Sequence, residues 1–266
     1  MRDDAGDRSV QPEDARRLFG QDAAAYEDGR PGYPSRVFDL LADRCGLAPG
    51  TPTLEIGPGA GQATVDLLAH GASPLVAIEP DPSLAEHLRA RFGDRVDVRN
   101  EAFETAELAP GHFALAASAT AWHWVDQPIG FARLVAAIRP GGWWAMWWTT
   151  YHDPERLDAL YHALQPILEP VTGGPAGSFC LDREARLADL RATRAFDEPT
   201  IDEWRWRYPL DADRARRLFG TFSGILALPD DERASVLERI GEAIDKQFGG
   251  YVERNVVTIV YTARRT

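Results

Sequence analysis

Residues 53–61 read Thr-Leu-Glu-Ile-Gly-Pro-Gly-Ala-Gly, and no other stretch limits the possible folds as strongly. A short apolar run passes straight into glycines at alternate positions, Gly57, Gly59 and Gly61. A helix-patterned segment, Gln62-Ala-Thr-Val-Asp-Leu-Leu-Ala, follows at once. Strand, tight turn and helix N-terminus in this order open the doubly wound α/β folds, where the turn cradles an adenosine-bearing cofactor. Glycine is needed there because a side chain would block close backbone approach or forbid a positive φ.

The details of the triplet separate one cofactor class from another. The dinucleotide fingerprint is G-x-G-x-x-G/A. Here the third glycine comes one residue early and the sixth position is Gln62, which disfavours a pyrophosphate. Glu55 stands two residues before the first glycine. A carboxylate at that place repels a pyrophosphate and suits a cationic amino-acid tail. A second apolar run, Pro74-Leu-Val-Ala-Ile, ends in Glu79, 18 residues beyond Gly61. An acid at the tip of the second strand can accept both hydroxyls of a ribose.

Alternating patterns continue along the chain. Strands are expected at 53–56, 75–78, 96–99, 113–118 and 143–149, with helices at 63–70, 83–92 and 130–138 between them. Ser35 is expected to cap a helix over 36–45, and Asp81 the one over 83–92. Strands alternating with helices of this length imply a parallel sheet covered on both faces. After residue 150 the alternation breaks. Helices are expected over 154–170, 183–193, 211–227 and 230–247, a strand over 201–208, and a last strand over 256–262. The expected organisation is therefore an N-terminal lid segment over 1–34 and a Rossmann-like core over 35–150. A helical cap containing strand six then covers 151–250, and a C-terminal edge strand over 251–266 completes the core sheet. Residues 1–12 read as disordered, 13–25 as a helix and 173–177 as a flexible glycine-rich link.

Composition bounds the function classes. The 266 residues carry a net charge of −12, and Lys246 is the single lysine among 29 basic residues. An acidic chain without a basic stripe argues against nucleic acid as a partner, since phosphate neutralisation dominates such binding. Cys45 and Cys180 lie far apart, and no C-x-x-C or H-E-x-x-H spacing occurs, so no metal is expected. No signal-peptide core and no membrane-length apolar run is present, and the expected compartment is the cytoplasm. The sequence specifies no oligomeric state.

The glycine rhythm with its two acids resembles the nucleotide site of the class I S-adenosylmethionine-dependent methyltransferases. Phe19-Gly-Gln-Asp-Ala-Ala-Ala-Tyr26, Arg30-Pro-Gly-Tyr-Pro34, Ala121-Trp-His-Trp-Val-Asp126 and Asn255-Val-Val-Thr-Ile-Val-Tyr-Thr-Ala-Arg-Arg265 are similar to segments of one bacterial small-molecule subgroup. That subgroup includes enzymes similar to trans-aconitate methyltransferase. The resemblance spans about Phe19 to Arg265. It implies a doubly wound, seven-stranded Rossmann-like sheet with a helical cap, S-adenosylmethionine as cofactor and a small molecule as methyl acceptor. It implies that Gly57, Gly59 and Gly61 form the cofactor turn, that Glu55 faces the cofactor's ammonium and that Glu79 takes the ribose. Pro80 would flank the adenine, Ala102 and Phe103 would lie beside it, and Ser118 would lie beside the methionine part. Tyr26 and Arg30 would fold over the cofactor, with Arg30 pairing the methionine carboxylate. Relatives carry an acid where this chain has Ala102; either Glu101 takes over the adenine contact or backbone alone makes it. His123 is the candidate catalytic residue, deprotonating or orienting the acceptor, against a structural role between Trp122 and Trp124. Two other classes stay open: a cofactor-binding protein that catalyses a cyclisation or elimination, and a non-catalytic scaffolding subunit.

Overall fold

The computed structural model describes residues 27–172 and 179–266. Tyr26, the helix expected over 13–25 and the glycine-rich link at 173–177 lie outside the described residues. The strands are β1 (Thr51–Ile56), β2 (Ala72–Ile78), β3 (Asp97–Arg99), β4 (Phe113–Ala119), β5 (Ile138–Thr150), β6 (Thr200–Asp211) and β7 (Tyr251–Arg264). They form one seven-stranded sheet in the order β3-β2-β1-β4-β5-β7-β6. β1 to β5 are mutually parallel, and β7 runs antiparallel to β5. This is the doubly wound α/β architecture expected from the sequence. The chain builds outward from β1 through β2 to β3 and then crosses over to β4 on the other side of β1. The order reverses between β1 and β4, and ligands bind outside the carboxyl ends of strands at such a switch point.

Helix α1 (Ser35–Cys45) leads into β1, and three helices lie between the parallel strands: α2 (Gln62–Ala69), α3 (Pro82–Phe92) and α4 (Gln127–Ala137). Asp81 caps α3 as expected: its carboxylate accepts from the Ser83 and Leu84 N–H groups at 2.9 and 3.0 Å. Ser35 does not cap α1. Helix α1 begins one residue earlier than expected, with Pro34 at the cap position, no side-chain cap bond, and the Pro34 carbonyl accepting from Val37 N–H at 2.9 Å. Proline's fixed φ pre-sets the chain for that entry without a hydroxyl.

The two faces of the sheet carry separate cores, and period-2 alternation along β5 divides its aromatic side chains between them. Trp144, Met146 and Trp148 join Leu54, Ile56, Trp122 and Phe131 on one face. Ala145 and Trp147 join Val37, Phe38, Leu41, Leu67 and Leu115 on the other. Trp122, Trp144 and Trp147 are fully buried, and aromatic side chains of this size dominate the burial that holds such cores together.

Two compact units share the chain. The sheet unit takes Pro31–Thr150, residues 179–204 and Val257–Thr266; the helical unit takes residues 27–30 and 151–172 with Arg205–Val256. Residues 179–204, expected within the cap, therefore belong with the sheet. Phe179, Leu181, Leu187, Leu190 and Ile201 pack into the core around Trp148 and Tyr261, and Tyr261 donates from its hydroxyl to the Cys180 carbonyl at 2.6 Å. The helical unit contains α5 (Ala159–Thr172), α7 (Ala212–Gly220), the short α8 (Ser223–Leu226) and α9 (Asp230–Phe248), while α6 (Arg183–Ala192) belongs to the sheet unit. The single helix expected over 211–227 is broken at Thr221 and Phe222, where the Thr221 hydroxyl bonds back to the Leu218 carbonyl at 2.6 Å. Val236, Ile240, Ala243 and Ile244 of α9 present the i, i+4, i+7, i+8 stripe to a core with Leu160, Leu164, Leu218, Phe219 and Ile225.

Candidate functional site

The glycine turn closes the gap between β1 and α2. Gly57, Gly59 and Gly61 all have positive φ, at 68°, 61° and 90°. A Cβ on Gly57 would meet the Ala121 Cβ at 2.5 Å, and one on Gly61 would meet the Phe92 ring at 2.6 Å. Conformation and space thus both demand glycine at these two positions. We expect Gly61→Ala to cost about 1–3 kcal/mol of stability, the sum of strained backbone and overpacking against α3. Urea unfolding reads this directly; wild-type stability in the variant would contradict it.

Glu79 ends β2 and is 5% exposed. One carboxylate oxygen accepts from Gly59 N–H and the other from Asp81 N–H, both at 3.0 Å. The acid therefore ties the glycine turn to the start of α3. Asn100 secures the same corner from β3's end, donating its Nδ2 to the Glu79 and Pro80 carbonyls at 2.9 and 3.0 Å. Arg91 on α3 donates to the Ala60 carbonyl at 2.7 Å and holds the turn from outside.

Glu55 points from β1 to the α2 side of the sheet and is 1% exposed. Thr64, in the first turns of α2, donates its hydroxyl to Glu55 Oε2 at 2.8 Å. Oε1 is buried without a hydrogen-bond partner among the described residues. Burial, reinforced by the neighbouring negative Glu79 and opposed by the Thr64 bond, pushes this carboxyl up to about 8. A buried carboxylate oxygen with an unused lone pair is what a cationic ligand group would satisfy.

Ser118 is fully buried, and its hydroxyl donates to the Ile56 carbonyl at 2.9 Å, drawing together the ends of β4 and β1. Pro80 offers its carbonyl to Asn100. The Ala102 carbonyl accepts from the N–H groups of Thr105 and Ala106 and closes a turn. Phe103 is 3% exposed and packs in the core with its ring 6.0 Å from Trp122. Within the helical unit Arg30 donates to the Thr221 carbonyl at 3.3 Å and lies over the Phe222 and Tyr151 rings.

His123 sits in the one-turn segment Trp122–Trp124 that follows β4. The Trp148 indole N–H donates to His123 Nδ1 at 3.0 Å. An indole nitrogen can only donate, so the neutral imidazole carries its proton on Nε2. In this tautomer the Nδ1 lone pair is engaged by Trp148.

Thr120 is absent from the sequence reading, and Tyr33 enters it only as part of the segment expected to fold over the cofactor. Thr120 follows β4 directly with φ 54°, and its Oγ1 lies 2.9 Å from the Tyr33 hydroxyl. Among the described residues no cluster of three or more His, Cys, Asp or Glu could hold a metal ion, and no helix is long and apolar enough to cross a membrane.

A switch point furnished in this way defines an α/β methyltransferase fold. Comparison with known proteins agrees: residues 53–142 match the family model described as a methyltransferase domain. The chain is similar to an uncharacterized methyltransferase of Schizosaccharomyces pombe, 23% identical over 253 residues, 94% of this chain and 97% of that protein. Among solved structures, a type II methyltransferase candidate from Anaeromyxobacter dehalogenans superposes with a TM-score of 0.60 at 22% identity, covering 89% of this chain and 97% of that one. The phosphoethanolamine N-methyltransferase 2 of Haemonchus contortus, solved with phosphomonomethylethanolamine and S-adenosylhomocysteine, superposes with a TM-score of 0.56 at 12% identity. There the match covers 98% of this chain and 61% of that one.

Proposed function

We propose that this chain binds S-adenosylmethionine and transfers its methyl group to a small-molecule acceptor. The observation that carries the reading is the pair of buried acids framing the glycine turn. Glu79 is fixed by two backbone N–H groups at the tip of β2, and Glu55 is buried with one oxygen unsatisfied. These residues fit the cofactor. Glu79, held at the tip of β2, suits the ribose hydroxyls. Glu55 suits the ammonium of the amino-acid tail, and the side-chain-free turn suits close approach of the backbone. When bound, S-adenosylmethionine supplies an electrophilic methyl group on a sulfonium. The protein's share is then positioning and exclusion of water.

His123, whose Nδ1 accepts from the Trp148 indole, is the residue assigned to orient the acceptor. No side chain is assigned as base, and one is required only when the acceptor must lose a proton. A small molecule is favoured as acceptor because the chain is acidic, with a net charge of −12, and such a surface attracts neither nucleic acid nor anionic membrane. The intact glycines and both acids speak against the scaffolding alternative, whereas a cofactor-binding cyclase would need the same residues.

Calorimetric titration with S-adenosylmethionine and S-adenosylhomocysteine, with NAD as control, tests the reading. Micromolar binding of both sulfur compounds and none of NAD is expected. A folded protein that binds neither sulfur compound would overturn it.

A further inference from the structure

We propose that Thr120 and Tyr33 form a strained latch that positions the glycine turn for its ligand. The inference rests on the cofactor reading above and assigns two positioning residues to it.

Thr120 is a β-branched residue at φ 54°, directly after β4. A left-handed backbone is costly for any side chain branched at Cβ, and glycine or asparagine would occupy the same turn with less strain. Such strain persists only where the surroundings over-determine it, and it clusters at functional sites. The surroundings here are specific. The Thr120 N–H donates to the Trp147 carbonyl at 2.7 Å. Its Oγ1 meets the hydroxyl of Tyr33, 87 residues earlier in the chain, at 2.9 Å. Tyr33 is itself seated edge-on against the buried Trp147, with ring centroids 5.8 Å apart. A glycine at 120 would remove the strain but also the hydroxyl that Tyr33 engages.

The turn delivers Ala121 against the cofactor loop. The Ala121 Cβ lies where it would be 2.5 Å from a Cβ on Gly57, so Ala121 and the first glycine of the loop are in close contact. Gly57 also has positive φ. Two residues with positive φ, one after β1 and one after β4, therefore flank the switch point, and Ala121, next to Thr120 in the chain, lies against Gly57. An incidental surface turn would need neither a distant hydroxyl partner nor contact with the loop. The latch sets the position of Gly57 and, one residue further on, the start of the segment that carries His123.

The test is S-adenosylhomocysteine binding by calorimetry, with thermal melting on each variant. Tyr33→Phe and Thr120→Val each remove one hydroxyl of the pair. Each is expected to weaken binding about five- to tenfold, the size of one hydrogen bond's net contribution. The double variant should be no weaker than either single, because all three lose the same bond. Thr120→Gly accepts the left-handed conformation unaided, so adding Tyr33→Phe to it should cost no more than about a further twofold. Wild-type affinity in both single variants, or multiplicative losses in the double, overturns the latch while leaving the cofactor reading intact. Failure of the wild type to bind overturns the cofactor reading and the latch with it.

Discussion

Glu79→Ala is expected to weaken S-adenosylmethionine binding by about a hundredfold or more, equivalent to two charge-assisted hydrogen bonds. The same change should lower the melting temperature by several degrees. In the free protein the two carboxylate oxygens satisfy Gly59 N–H and Asp81 N–H in a nearly buried corner. Alanine leaves both donors without their acceptor, at a cost on the order of 3 kcal/mol. Glu79→Gln keeps the shape but turns an NH2 group toward one of two backbone donors, so it should fall between alanine and wild type. Calorimetry and thermal melting report the two effects separately. Alanine-variant affinity within about threefold of wild type would remove Glu79 from the binding site, since a lost charged partner costs more than that.

Glu55 gives the second large effect, as a dependence on pH. Its carboxyl is pushed up from 4.5 to about 8, chiefly by burial. The folded protein therefore keeps a proton that the unfolded chain has already lost. Stability from this group is complete below about 4.5 and declines as pH rises toward about 8, by up to about 1.4 kcal/mol per pH unit. Glu55→Gln removes the titration, so its stability should gain on the wild type across that window. Ligand binding should run the other way. An ammonium beside Glu55 favours the carboxylate, so S-adenosylhomocysteine binding should release a proton. Affinity should then strengthen up to about tenfold per pH unit on the approach to pH 8. Titration in buffers of differing ionisation enthalpy counts the proton. Equal pH profiles for wild type and Glu55→Gln would mean that Glu55 does not meet the cationic group.

Features that depend on local rhythm were readable before any coordinates. The glycine spacing announced three left-handed residues, and the acid closing an apolar run marked the tip of β2. Asp81 before Pro82 announced a capped helix. What stayed hidden depends on residues distant in sequence. Nothing near Thr120 signals a left-handed threonine, because its stabilising partner, Tyr33, lies in another segment. The tautomer of His123 is set by Trp148 across the sheet edge, and no local pattern encodes such a pair. Residues 179–204 read as cap because they interrupt the strand–helix alternation. Their apolar residues join the sheet's core through tertiary contacts that a helix period does not disclose.

The division of indoles between the two faces of β5 also gives the molecule its own optical readout. Trp147 reports on one core from beside Tyr33, while Trp144 and Trp148 report on the other. Trp148 is hydrogen-bonded to an imidazole, a neighbour whose protonation quenches indole emission, whereas Trp144 is sealed among aromatic and aliphatic side chains. Among the eight tryptophans, replacing Trp144, Trp147 or Trp148 singly by phenylalanine assigns the emission of each face, with no label attached to the chain.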